Sequence, residues 1–367
     1  VSAVDQPSAA LWPRFPYVRE RYPAAIPRGV VMRPRLLPDT HLLPSEQGVV
    51  IRGPRHTVAL PAPGLYPWLE RLRPFLDGSR SVGELVADLP PQAAQHVRTL
   101  VELLLREGFV RDAGADLPHT LSPRVRAQHA AMIDFIALRS DSPEGRFERY
   151  RTCSPVVAGS GHLASALVLA LLASGIEHVR LLVPRSGDRG GPGTDMARLR
   201  ECVELLRAAG GCFRYEEIPG DLSEPIQGIG TLLLGADAPD REAQVRARAL
   251  AARSGAWYGQ AVVSGPRVLI SAVSRLDDTS APWPDGGSAG EGEERPSPYL
   301  GGPVAALAAN QLCLHLLRQV AGLDESESES ESAGAGAGAG GAPAASGAAV
   351  LDLATARFVP TEPARPV

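Results

Sequence analysis

Two glycines one residue apart, Gly159 and Gly161, stand between an apolar run (Val156–Ala158) and a long apolar stretch beginning at Leu163. With Ala164 they complete the pattern G-x-G-x-x-A. Its physical meaning is a tight turn that offers backbone N–H groups and a helix N-terminus to a pyrophosphate. Gly159, Ser160, Gly161 and Ala164 are therefore the candidate nucleotide turn. A working dinucleotide site adds an acid at the end of the next strand, about 20 residues on, for the ribose hydroxyls. That strand, HVRLLV, runs into Pro184, Arg185 and Ser186 and brings no acid. Arg185 would suit a 2′-phosphate, so an NADP-linked oxidoreductase is one alternative, but no His or Tyr-x-x-x-Lys suited to hydride transfer follows.

The residue inventory narrows the chemistry further. Every basic side chain apart from histidine is arginine; the 367 residues contain no lysine. Walker, Schiff-base and general-base lysines are thereby excluded. The four cysteines, Cys153, Cys202, Cys212 and Cys313, are far apart and form no C-x-x-C pair. That spacing argues against a zinc site and against a disulfide scaffold, and reads as buried thiols. Asp237 and Asp240 in GADAPD stand at the end of an apolar run. They fit a strand-end loop with an N-cap acid for the helix that starts near Arg241. On this reading the vestigial turn carries no cofactor, and no catalytic or metal-binding residue is assigned.

A formal net charge of -4 gives no electrostatic case for nucleic acid. The longest apolar run, Leu163–Ile176, is shorter than a bilayer span and is interrupted by Ser165, Ser174 and Gly175. Val1–Ile26 is proline-rich, contains arginines and lacks the apolar centre of a secretory signal, so a cytoplasmic protein without a membrane segment is expected.

The elements that would position these groups fall into blocks. Residues 1–28 read as an extended, proline- and aromatic-rich arm. Residues 29–112 form a compact unit of three strands (VMRPRLL, GVVIRG and RHTVALP) and then three helices, a winged-helix arrangement. Gly53-Pro54 marks a hairpin between the second and third strands. The first helix, LYPWLERLRPFL, is expected to stop at Asp77-Gly78. Ser81 followed by Glu84 has capping-box spacing. The last helix starts at a proline and ends at Gly108. A connecting segment, 113–152, holds one helix over Pro123–Leu138. From 153 to 323 strands and helices alternate as in a doubly wound sheet, with a hairpin at Ser264-Gly265-Pro266. A polar loop (281–299) interrupts that block, a low-complexity linker (324–347) follows, and 348–367 holds a last strand and a tail.

Two stretches resemble known families. GSGHLASALVLALLASGIEHVRLLV, followed by TLLLGADAPDREAQVRARALAARSG, resembles the ThiF family, relatives of ubiquitin-activating enzymes. Members that adenylate carry a richer glycine loop, an acid after the second strand, an Asn/Arg segment, a lysine and often zinc-holding C-x-x-C pairs. Here His162 stands where a further glycine is usual, and the lysine and zinc pairs are missing; by the resemblance, Asp237 and Asp240 lie where the family's Mg²⁺ ligand would fall. The resemblance thus implies the fold with its adenylation chemistry lost; a live ATP-dependent adenylating enzyme is the principal alternative. LERLRPFLDGSRSVGELVADLPPQAAQHVRTLVELLLREGFV resembles the PqqD-like RiPP recognition element, which binds leader peptides of ribosomally made, post-translationally modified peptides. Winged helices also read DNA, but Arg98 and Arg106 on the last helix are offset by Glu102 and Glu107.

Together the two resemble the ThiF-like leader-binding partners of azole-forming cyclodehydratases, in thiopeptide and related pathways. The resemblance implies a non-catalytic scaffold, commonly a homodimer. It captures the precursor's leader and delivers the core to a separate YcaO enzyme that uses ATP. Capture would be strand addition on the edge strand His56–Leu60, with alternate side chains entering pockets. The candidate peptide-binding residues are Arg55, His56, Thr57, Val58, Ala59 and Leu60 on that edge, with His96, Thr99, Leu103 and Arg106 along the last helix, Leu103 fitting the core as readily as the groove. Leu100, Val101, Leu104 and Leu105 are expected in the core, and Arg52, Arg55, Arg98 and Arg106 are placed to attract acidic leader residues.

Overall fold

A computed structural model describes residues 31–183, 194–276, 300–323 and 348–359. The expected arm (1–28), the Pro184-Arg185-Ser186 run, the polar loop (281–299) and the linker (324–347) lie outside them. The described chain divides into two units, one running to His119 together with Ile133–Gly145, the other comprising Thr120–Met132 and the chain from Arg146 on.

In the first unit Val49 and Ile51 are buried while Arg52 is exposed, the alternation of a half-buried strand. Strands β1 (Pro34–Leu36), β2 (His41–Ser45), β3 (Gly48–Arg52) and β4 (Thr57–Leu60) precede the helices. The order β2-β3-β4 makes a three-stranded antiparallel sheet. The Gly53 N–H closes the β3–β4 turn on the His56 carbonyl at 3.0 Å, at the expected hairpin. The expected first strand is corrected: β1 pairs instead with β5 (Val110–Asp112), and the sheet's own first strand is HLLPS. Pro44 obscures that segment, yet β2 lies on the sheet edge, where a missing N–H is tolerated.

Helices α1 (Leu65–Leu72), α2 (Val82–Leu85) and α3 (Pro91–Arg106) follow. Helix α1 ends at Leu72, short of the expected Asp77-Gly78, because Pro74 cannot donate to the helical ladder; a 3₁₀ turn, Arg73–Phe75, takes its place. The capping box is present: Glu84 N–H donates to Ser81 Oγ at 3.2 Å, and Ser81 N–H to Glu84 Oε2 at 2.6 Å. Val49, Ile51, Leu65, Leu69, Val101, Leu104 and Phe109 share one core.

The connecting segment holds three helices: α4 (Pro123–Gln128), α5 (Ala130–Ala137) and α6 (Pro143–Thr152). Helix α6 was not expected, because PEGRFERYRT shows little amphipathic pattern. Its Phe147 and Tyr150 are fully buried, and two of its three arginines, Arg146 and Arg151, satisfy carbonyls, while Arg149 is exposed. Arg146 donates to the Ala321 and Gly322 carbonyls, and Arg151 to those of Gly175 and Cys212.

The second unit is built on β6 (Val156–Ser160), β7 (His178–Val183), β8 (Arg214–Pro219), β9 (Thr231–Ala236) and β10 (Trp257–Ser264). They are parallel in the order β8-β7-β6-β9-β10. Every residue of β9 is buried, as in a strand covered on both faces. Strands β11 (Arg267–Ile270), β12 (Ser274–Arg275), β13 (Ala349–Asp352) and β14 (Arg357–Val359) extend the sheet antiparallel. The β10–β11 hairpin turns at Gly265-Pro266, as the sequence indicates, and the expected last strand is a pair, β13 and β14.

Helices α7 (Gly161–Ala173), α8 (Met196–Ala208) and α9 (Arg241–Ser254) follow β6, β7 and β9, and α10 (Gly302–Ala321) packs against α7. Strand order reverses between β6 and β9, the switch point at which open α/β sheets place their ligands. No described helix is long and apolar enough to cross a membrane.

Candidate functional site

The glycine turn lies at that switch point. Gly159, at φ +112°, pairs with Gly235 of β9, and a Cβ there would stand 1.9 Å from the Gly235 carbonyl oxygen. Only glycine permits this approach. Gly161, at φ +84°, begins α7, and its Cβ would fall 2.2 Å from Asp237 Oδ2. Ala164 is fully buried against β9, and Ser160 occupies the N-cap without a side-chain hydrogen bond.

The first donors of α7 are already occupied. Gly161 N–H donates to Thr194 Oγ1 at 3.0 Å, His162 N–H to Asp237 Oδ2 at 2.7 Å, and Leu163 N–H to Asp237 Oδ1 at 2.9 Å. His162 Nδ1 lies 3.0 Å from Asp237 Oδ2. Asp237 is only 5% exposed, whereas the His162 side chain is 65% exposed. Asp240 does what the strand-end reading expected, accepting from Ala243 N–H at 2.8 Å as the N-cap of α9. Asp237 instead reaches across the switch point to a helix that precedes it in the chain. Neither its role nor that of Thr194 was read from the sequence; the available signal was an acid ending β9 opposite a glycine turn.

Burial pushes the Cys153 thiol up to about 12 and the Cys313 thiol higher still. Among the described residues no group of three or more His, Cys, Asp or Glu could hold a metal ion. A cavity of about 560 Å³ runs beside the turn along α7, α8 and α10, with Ala166, Leu169, Leu199 and Ala306 among its walls.

The fold is similar to those of the solved structures of PaaA and MccB. PaaA matches with a TM-score of 0.55 at 16% identity, over 88% of this chain and 97% of PaaA. E. coli MccB with ATP matches with a TM-score of 0.55 at 12% identity, over 89% of this chain and 96% of MccB. MccB with AMPCPP and MccA gives 0.55 at 11% identity, over the same shares. MccB is described as a microcin C7 biosynthetic enzyme. No protein-family profile matches the chain, and no curated protein sequence does.

The peptide-site residues belong to the first unit. Strand β4 pairs with β3 alone, so its other edge is open among the described residues. Thr57 and Ala59 are exposed on it, while Val58 and Leu60 join the core. Arg55 donates to the Leu138 carbonyl at 3.0 Å. The His56 ring lies 4.8 Å from that of Phe109, which joins the β3–β4 turn to the residues just after α3. Along α3, His96 and Thr99 are half-buried, and Thr99 Oγ1 donates to the Gln95 carbonyl at 3.0 Å. Arg106 is exposed, with Nε 3.7 Å from Glu107.

Leu103 requires correction. It is 2% exposed and belongs to the core, whereas Leu105, expected inside, is 37% exposed. Three consecutive leucines leave the helical face ambiguous, and packing makes Leu105 the apolar side chain that α3 presents to solvent.

Proposed function

We propose that this chain captures the leader of a ribosomally made precursor peptide by strand addition on β4. It then presents the core of that peptide to a separate YcaO cyclodehydratase, in the biosynthesis of an azole-containing peptide of the thiopeptide type. The first unit acts as a winged-helix leader clamp, and the second as a ThiF-like scaffold, in a homodimer, that performs no adenylation. The observation that carries this reading is the open edge of β4. An unpaired row of backbone groups is a template for an added strand, and main-chain hydrogen bonds supply affinity while alternate side chains supply selectivity. Arg52 and Arg98, both exposed on this unit, suit acidic leader residues. The scaffold role draws support from the lack of any lysine and from the Asp237 carboxylate on the α7 donors, which leaves a triphosphate without its cradle.

A second reading, an ATP-dependent adenylating enzyme, is favoured by the shared fold with MccB, which has been crystallised with ATP. In that case Asp237 would be a metal ligand beside the phosphates. ATP–pyrophosphate exchange with the precursor peptide separates the two readings. The scaffold gives no exchange above background; exchange that depends on the peptide and is lost in Asp237→Ala would establish the enzyme.

A further inference from the structure

We infer that Asp237 is a built-in anion: its carboxylate fills the place that a glycine turn of this type offers to a phosphate, so the β6–α7 junction is complete without a ligand. The inference rests on the reading of the second unit as a scaffold and gives Gly161 a structural task that needs no ligand. A helix N-terminus presents free N–H groups and a partial positive charge, and an anion satisfies both. Here both carboxylate oxygens are engaged, one by each of two successive N–H groups, at 2.7 and 2.9 Å. The donor before them, Gly161 N–H, is taken by Thr194.

Glycine at 161 is needed by this carboxylate, since any Cβ would stand 2.2 Å from Oδ2 and expel it. Asp237 is not the cap of its own following helix, a task done by Asp240. A buried carboxylate is costly unless hydrogen-bonded, and the two N–H groups with His162 Nδ1 meet that need. A phosphate could enter only after Asp237 had left or been neutralised, because two anions at one helix end repel. His162 is a positioning residue for the carboxylate, held over it from the solvent side.

The test is anion rescue of the full-length chain. Wild type and Asp237→Ala are melted in sodium phosphate, sodium acetate and sodium chloride at matched ionic strength, with hydrogen exchange followed at the His162 and Leu163 amides. The wild type should show no saturable difference among the three salts, only the small rise that phosphate gives by exclusion from the surface, with both amides protected. Asp237→Ala should melt lower and exchange faster in chloride. Phosphate or acetate should restore it saturably, by roughly 3 °C at ten times the dissociation constant. Where the alanine variant does not accumulate, Asp237→Ser, which keeps one acceptor and leaves room for an ion, carries the same comparison. The assignment is overturned if the variant melts like the wild type, if neither anion restores it, or if phosphate or Mg-ATP stabilises the wild type equally. Leader binding measured on the wild-type sample stands apart: its absence would refute the proposed function of the first unit and leave Asp237 untouched.

Discussion

Alanine at position 103 and alanine at position 105 should have very different consequences, although the two leucines are two residues apart on one helix. Leu103 is 2% exposed within the core of the first unit, and Leu105 is 37% exposed. Leucine to alanine removes three carbons, worth about 2.4 kcal/mol at about 0.8 kcal/mol each when fully buried. The cavity left behind adds to this, which places Leu103→Ala within about 2–5 kcal/mol. Leu105→Ala loses only partial burial and should cost less than about 1 kcal/mol. In a domain of about 100 residues, the Leu103 loss lowers the melting temperature by roughly 10 °C or more. Calorimetry gives the size of the effect. Hydrogen exchange resolved by peptide assigns it to α3, where Leu103→Ala should release protection and Leu105→Ala should not. Equal effects, or a larger loss at Leu105, would refute the packing assigned to α3.

Three further outcomes are expected. Gly159→Ala puts a Cβ 1.9 Å from the Gly235 carbonyl in a left-handed backbone and should destabilise the second unit by roughly 3 kcal/mol or more; a soluble variant with unchanged melting would contradict the close β6–β9 approach. In native protein at pH 8, a maleimide should label Cys202 and Cys212 well before Cys153 and Cys313, whose thiols stay protonated through burial; mass spectrometry of timed samples decides, and early labelling of Cys313 would count against the fold. The Ser81 hydrogen bonds hold the Glu84 carboxyl below its ordinary value, so its contribution to α2 is complete above that value and fades as pH falls through the lowered one. Ser81→Ala should return the Glu84 titration, followed by NMR, towards the ordinary range; an unmoved titration would remove the capping box from the account.

Much of this was legible because its chemistry is local. The Ser81–Glu84 box, the Gly53-Pro54 and Gly265-Pro266 turns and the glycine pair at 159 and 161 each reveal themselves within a few residues. Long-range packing decided the rest. Asp237 binds backbone groups 74 and 75 positions earlier, a contact that no local pattern encodes. Pro44 disguised β2, which tolerates it only because the strand is an edge. In α6 the Arg146 and Arg151 guanidinium groups look like surface charge in sequence, yet they serve carbonyls of α10, of the residues before β7 and of those before β8. The Leu103-Leu104-Leu105 run offers three candidates for two buried positions, and only the assembled core chooses between them.

Strand addition on β4 is tested most directly by fluorescence polarisation with a labelled candidate leader peptide and two N-methylated versions of it. One version carries methyl groups on alternate amides of the bound stretch, the other on the amides between. An added strand points alternate N–H groups at its neighbour and the others away. The account predicts tight binding of the parent peptide without ATP, its loss in one methylated version and its retention in the other. Equal binding of all three peptides, or binding that appears only with ATP, would contradict it.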